Sequence, residues 1–128
     1  MRLLLDTHIF LWFVGGDAKL SIALREIISS PQNEVLLSVA SLWEMIIKYH
    51  LGHLPLPQPP EVFVPAQRKR LRIGSLPVDE GSVFQIAELP LLHRDPFDRL
   101  LSGQAIEHNL KLVTADTAIR AYPTTPIL

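Results

Sequence analysis

At 128 residues, 48% hydrophobic and 20% charged, the chain is long enough for one core and too apolar for disorder. It has no cysteine, which excludes disulfides, thiolate metal sites and cysteine nucleophiles. A net charge of −1 provides no bulk attraction to nucleic acid, so such a partner would have to meet a local basic patch or a bound cation.

Leu3-Leu4-Leu5 reads as a short, wholly apolar strand over residues 2–5, and it ends on Asp6. No basic-then-apolar leader precedes it. No apolar run approaches the roughly 18 residues of a membrane span, so the expectation is a cytoplasmic protein without membrane contact. Residues 7–14 form a short buried helix ended by Gly15-Gly16. Residues 19–29 form a second helix with Leu20, Ala23, Leu24, Ile27 and Ile28 on one face, stopped by Pro31. Residues 34–37 are the next strand. Residues 39–51 return to helix, with Leu42, Met45, Ile46 and Tyr49 at helical spacing and Gly52 closing it.

The stretch from His53 to Pro60 holds four prolines, which keep that connection out of helix. Residues 60–71 resume as helix, followed by a third strand near 72–76 and a helix over 79–89. Residues 96–109 are the clearest late helix, and 111–114 a fourth strand ending near Asp116. A helical turn over 117–121 and an extended piece over 125–128 complete the chain. Strands alternate with helices and no hairpin signal occurs. The expectation is therefore one α/β domain, residues 1–128, with a central parallel sheet covered by helices on both faces.

Four acids fall on four separate elements: Asp6, Glu44, Asp98 and Asp116. Each has an ordinary explanation. Asp6 and Asp116 suit helix caps. Glu44 precedes Lys48 by four residues, the favourable order for a surface helix pair. Asp95-Pro96-Phe97-Asp98 fits a cap, a proline at the first helical position and an acid in the first turn. Jointly they suggest more. Acids just past strand ends lie where open α/β sheets bind ligands, and crowded carboxylates require a compensating positive charge. A hard divalent ion such as Mg²⁺ or Mn²⁺ supplies it, and such ions serve phosphodiester cleavage. Thr114 is placed to donate its hydroxyl to a nearby carboxylate or to a water on the ion.

Leu4-Leu5-Asp6-Thr7-His8, Ser41-Leu42-Trp43-Glu44-Met45, His93-Arg94-Asp95-Pro96-Phe97-Asp98-Arg99-Leu100-Leu101 and Leu112-Val113-Thr114-Ala115-Asp116 resemble the four signature blocks of PIN-domain proteins. Within that family the chain is most similar to VapC-type toxins of bacterial type II toxin–antitoxin modules. The resemblance covers essentially the whole chain, and the block from Asp95 to Gln104 is its most specific part. It implies a three-layer α/β/α fold around a parallel sheet and an Mg²⁺- or Mn²⁺-dependent endoribonuclease that cuts RNA with metal-activated water. The acidic positions carry over to Asp6, Glu44, Asp98 and Asp116. Asp95 is a helix cap placed to contact the metal or the groups around it. Ser102-Gly103 departs from the small alanines usual in the third block, and glycine there allows close packing.

The resemblance also implies a small cognate antitoxin and a homodimer. The apolar excess at Phe10, Trp12 and Phe13 is expected to serve a subunit or antitoxin surface. Arg68-Lys69-Arg70, followed by Arg72, is the densest basic cluster. It reads either as a solvated helix face or as a contact for RNA phosphates or an acidic partner segment. Arg94 and Arg99 flank Asp98 and suit phosphate or the pocket's own charge. A DNA- or flap-directed nuclease and a catalytically silent binding module of the same fold are the competing readings.

Overall fold

The computed structural model describes residues 1–90, 95–116 and 128. Four strands form one sheet: β1 (Arg2–Leu5), β2 (Glu34–Ser38), β3 (Gly74–Leu76) and β4 (Lys111–Val113). Their order is β3-β2-β1-β4 and every pairing is parallel. Leu5 lies beside Leu37 on one flank and Val113 on the other. Strands buried on both faces have no polar alternation, which is why β1 reads as unbroken leucine.

Alternate strand residues divide the core into two layers. Leu3, Leu5, Val35, Leu37 and Val113 face one way, toward Ile9, Phe10, Ile28, Met45 and Val64. These come from α1 (Thr7–Gly15), α2 (Ile22–Ser29), α3 (Val39–His50) and α4 (Pro60–Leu71). Leu4, Leu36, Leu76 and Leu112 face the other way and pack with Leu101, Ala105 and Leu110. The helices near that face are α5 (Glu80–Ala87) and α6 (Pro96–Glu107). The expected three-layer α/β/α arrangement is present.

Local chemistry accounts for the boundaries that differ from expectation. The second helix begins at Ile22, not residue 19, because Ser21 is its cap and accepts the Leu24 N–H at 3.1 Å. The third strand begins at Gly74, because Arg72 ends α4 in the left-handed conformation at φ 58°. The 117–121 turn lies outside the described residues, as does all of the final extended piece except Leu128. The Leu128 N–H donates to the Leu112 carbonyl at 3.1 Å.

The aromatic expectation is corrected in part. Phe10 is fully buried in the core and offers no partner surface, while Trp12 and Phe13 are half-buried against that core. The largest exposed apolar groups lie elsewhere, at Ile22, Trp43, Leu51 and Phe84. Among the described residues no helix is long and apolar enough to cross a membrane.

Candidate active site

β1 connects to β2 on one side of the sheet, while its other neighbour is β4. The chain therefore reverses direction of travel across the sheet at the β1/β4 boundary, the position where open parallel sheets take ligands. Asp6 and Asp116 lie just past the C-terminal ends of these two strands. Asp6 also caps α1: its Oδ1 accepts the His8 N–H at 2.8 Å. Its Oδ2 accepts the Thr114 hydroxyl at 2.6 Å, and Thr114 Oγ1 in turn accepts the Asp116 N–H at 3.0 Å. One buried threonine thus ties the two acids together. A hollow of about 260 Å³ opens between them, bounded by Asp6, His8, Trp12, Ala115 and Asp116.

Glu44 is 5% exposed although it lies on a helix. The Thr7 hydroxyl donates to its Oε1 at 2.7 Å, and the Ser41 hydroxyl lies 2.9 Å from Thr7 Oγ1. Lys48 Nζ donates to Oε2 at 2.7 Å. Because Thr7 follows Asp6 directly, this cluster begins where the Asp6–Thr114 pair ends. Partial burial by itself would lower the Lys48 pKa. The hydrogen bond and charge of Glu44, with smaller contributions from Asp95 and Asp98, outweigh that and raise it. The Lys48 ammonium therefore feels acids from both α3 and the start of α6.

Asp98 sits in the first turn of α6, half-buried, and Asp95 caps that helix by accepting the Phe97 N–H at 2.9 Å. Since α6 leads by a tight turn into parallel β4, its N-terminus lies at the same sheet edge as Asp6 and Asp116. Phe97 packs edge-on against Trp43 of α3, with ring centres 5.1 Å apart. This contact links the α6 start to the helix that carries Glu44.

All four acids therefore face one end of the sheet, in two hydrogen-bonded groups and a helix start. Among the described residues no three acids or histidines close around one point tightly enough to hold an ion by themselves. The donors nonetheless suit Mg²⁺ or Mn²⁺: they are hard oxygens, and these ions keep several waters and take only a few carboxylates. Asp6 retains unused lone pairs on both oxygens. Glu44 differs, because one of its partners is itself a cation.

The dense basic cluster of α4 falls elsewhere. Arg70 and Arg72 line a cavity of about 470 Å³ with Phe13, Asn33 and Val35, at the N-terminal edge of the sheet, opposite the acids. Arg70 Nε donates to Gln67 at 2.9 Å. Lys69 is exposed and Arg68 half-buried on the same helix. Arg99 donates to the Ile86 carbonyl at 3.2 Å. Arg94 lies outside the described residues. Thr7 and Lys48 are site members that the sequence alone did not single out. Their signals were the hydroxyl directly after Asp6 and the i,i+4 spacing from Glu44.

The chain resembles known proteins in sequence and fold. The PIN domain family model matches residues 3–124. The chain is 44% identical over 57 residues to Ribonuclease VapC16 of Mycobacterium tuberculosis, a match covering 44% of this chain and 40% of that relative's length. Its fold is similar to the crystal structure of VapBC2 from Rickettsia felis bound to a promoter DNA fragment. That match has a TM-score of 0.76 and 18% identity, covering 100% of this chain and 98% of the other. DNA-bound VapBC from Salmonella typhimurium is similar at a TM-score of 0.67 and 18% identity, covering 100% of this chain and 97% of the other. With the family model spanning nearly the whole chain and the acids gathered at one sheet edge, the chain belongs to the PIN-domain family.

Proposed function

We propose that the protein is a metal-dependent endoribonuclease, the VapC-type toxin of a type II toxin–antitoxin module. The observation that carries the reading is the Asp6–Thr114–Asp116 arrangement at the β1/β4 boundary, opening onto a common hollow. Asp6, Asp98 and Asp116 are the residues that would hold Mg²⁺ or Mn²⁺, with Glu44 acting directly or through water. Bound there, the ion would polarise the scissile phosphodiester and lower the pKa of attacking water.

The chain's own groups do the rest. Thr114 fixes the Asp6 carboxylate and the Asp116 backbone, so neither has to reorganise. Thr7 and Lys48 hold Glu44 in one rotamer. Asp95 anchors the first turn of α6 and so sets where Asp98 stands. Arg70 and Arg72 extend the RNA path away from the acidic edge by holding phosphate. The partners of this reading are an RNA substrate, a small antitoxin and a second copy of the chain, acting in the cytoplasm.

The test is cleavage of a labelled RNA pool by purified protein in Mg²⁺ or Mn²⁺, compared with EDTA and with Asp6→Asn. Cleavage lost in both controls is the expected result. No cleavage by folded, metal-binding protein would favour a silent binding module. Preferential cleavage of DNA flaps would favour the DNA-directed alternative.

A further inference from the structure

We infer that Lys48 is the resident counter-ion of the acidic site: it holds Glu44 in the metal-free protein and competes with a divalent ion for the site's negative charge. The competition with an ion rests on the metal-nuclease reading; the hold on Glu44 does not. The same i,i+4 spacing on a solvated helix makes a weak, screened pair. Here the acid is not solvated. The Glu44 side chain is 7% exposed, against 39% for Lys48, so the ammonium caps a carboxylate that water barely reaches.

The surroundings make the pairing specific. The Thr7 hydroxyl has one proton, and at 2.7 Å it serves Glu44 Oε1; the Ser41 hydroxyl then donates to Thr7. That leaves Oε2 to Lys48. Lys48 lines a hollow together with Thr7, His8, Leu11 and Met45. Asp95 and Asp98 act on the same ammonium from α6. A buried carboxylate deprived of such a partner is strongly disfavoured. The ammonium also repels any second cation brought to the same acids.

The experiment compares wild type, Lys48→Met, Lys48→Arg and Glu44→Gln/Lys48→Met. Thermal unfolding is read in EDTA and in saturating Mn²⁺, and Mn²⁺ affinity is read by calorimetry. Lys48→Met is expected to unfold roughly 3–6 °C lower in EDTA. Its deficit shrinks in Mn²⁺, and it binds Mn²⁺ about fivefold or more tightly, because the competing charge is gone. Lys48→Arg stays near wild type. Glu44→Gln/Lys48→Met recovers the EDTA stability, since a neutral amide needs no counter-ion.

Unchanged stability and affinity in Lys48→Met would overturn the inference, leaving an ordinary surface pair. So would an equal loss of stability with and without Mn²⁺ at unchanged affinity, which is a packing effect. If Lys48→Met does not fold, recovery in the double variant supports the inference and failure there overturns it. If wild type binds no Mn²⁺, the metal reading fails, while the EDTA comparison still decides whether Lys48 holds Glu44.

Discussion

The Thr114 hydroxyl donates to Asp6 across 2.6 Å, and the same oxygen accepts the Asp116 N–H at 3.0 Å. Thr114 is 1% exposed and Asp6 4% exposed, so neither group has water to turn to. Thr114→Val keeps the shape and removes both bonds. Depriving the buried Asp6 carboxylate of that donor is expected to cost about 1–3 kcal/mol. Thr114→Ser retains the hydroxyl and most of that stability. Urea unfolding of the two variants checks this, and cleavage should fall in Thr114→Val far more than in Thr114→Ser.

The close approach of α5 and α6 depends on Gly103. A Cβ there would overlap the Ser82 carbonyl and press on Ile86 Cγ1 at 3.3 Å. Ser82 at this contact is fully buried, which leaves little room for the added methyl. Gly103→Ala adds helix propensity yet is expected to destabilise by about 1–3 kcal/mol through overpacking. A lowered denaturation midpoint at unchanged slope is the predicted signature.

Asp79 provides a pH test remote from the acids. The Ser82 hydroxyl and backbone N–H donate to it, and His108 Nε2 lies 2.9 Å from its Oδ2. Chiefly through the Ser82 hydroxyl, its pKa is lowered from 3.8 to about 2. The folded value lies below the unfolded one, so this contribution is complete above about pH 4 and is lost as pH falls through about 2. Asp79→Asn should flatten the acid limb of the stability curve between those values. It should leave the curve near pH 7 parallel to wild type.

Much of this was legible in the chain because its signals are local. Apolar runs, Pro96 and the glycines near position 16 mark the elements, and the acids follow strand ends or begin a helix. The role of Lys48 was not legible. Its i,i+4 relation to Glu44 is the same whether the pair faces water or core, and only the packing of α3 against α1 and α6 decides which. The placement of the basic cluster on the opposite sheet edge was also hidden. Arg68 to Arg72 are dense in sequence, but α4 runs away from the acids, so its last turn carries Arg70 and Arg72 to the opposite edge.

That placement has a measurable consequence. In an Asp6→Asn background, which is expected to abolish cleavage, Arg70→Gln/Arg72→Gln should bind RNA more weakly. Its salt dependence should become shallower by about 0.7 for each phosphate no longer held. In active protein the same pair should raise KM with kcat little changed, since neither arginine adjoins the acids.

The most direct test of the central claim, that acids from four elements form one cation site, is calorimetric titration of Mn²⁺ into metal-free wild type, Asp6→Asn, Glu44→Gln, Asp98→Asn and Asp116→Asn. Wild type should bind, and each of the Asp6, Asp98 and Asp116 variants should bind about tenfold or more weakly. Glu44→Gln should lose less, because Lys48 already offsets its charge. Wild-type affinity in Asp98→Asn or Asp116→Asn, or no binding by folded wild type, would contradict the account.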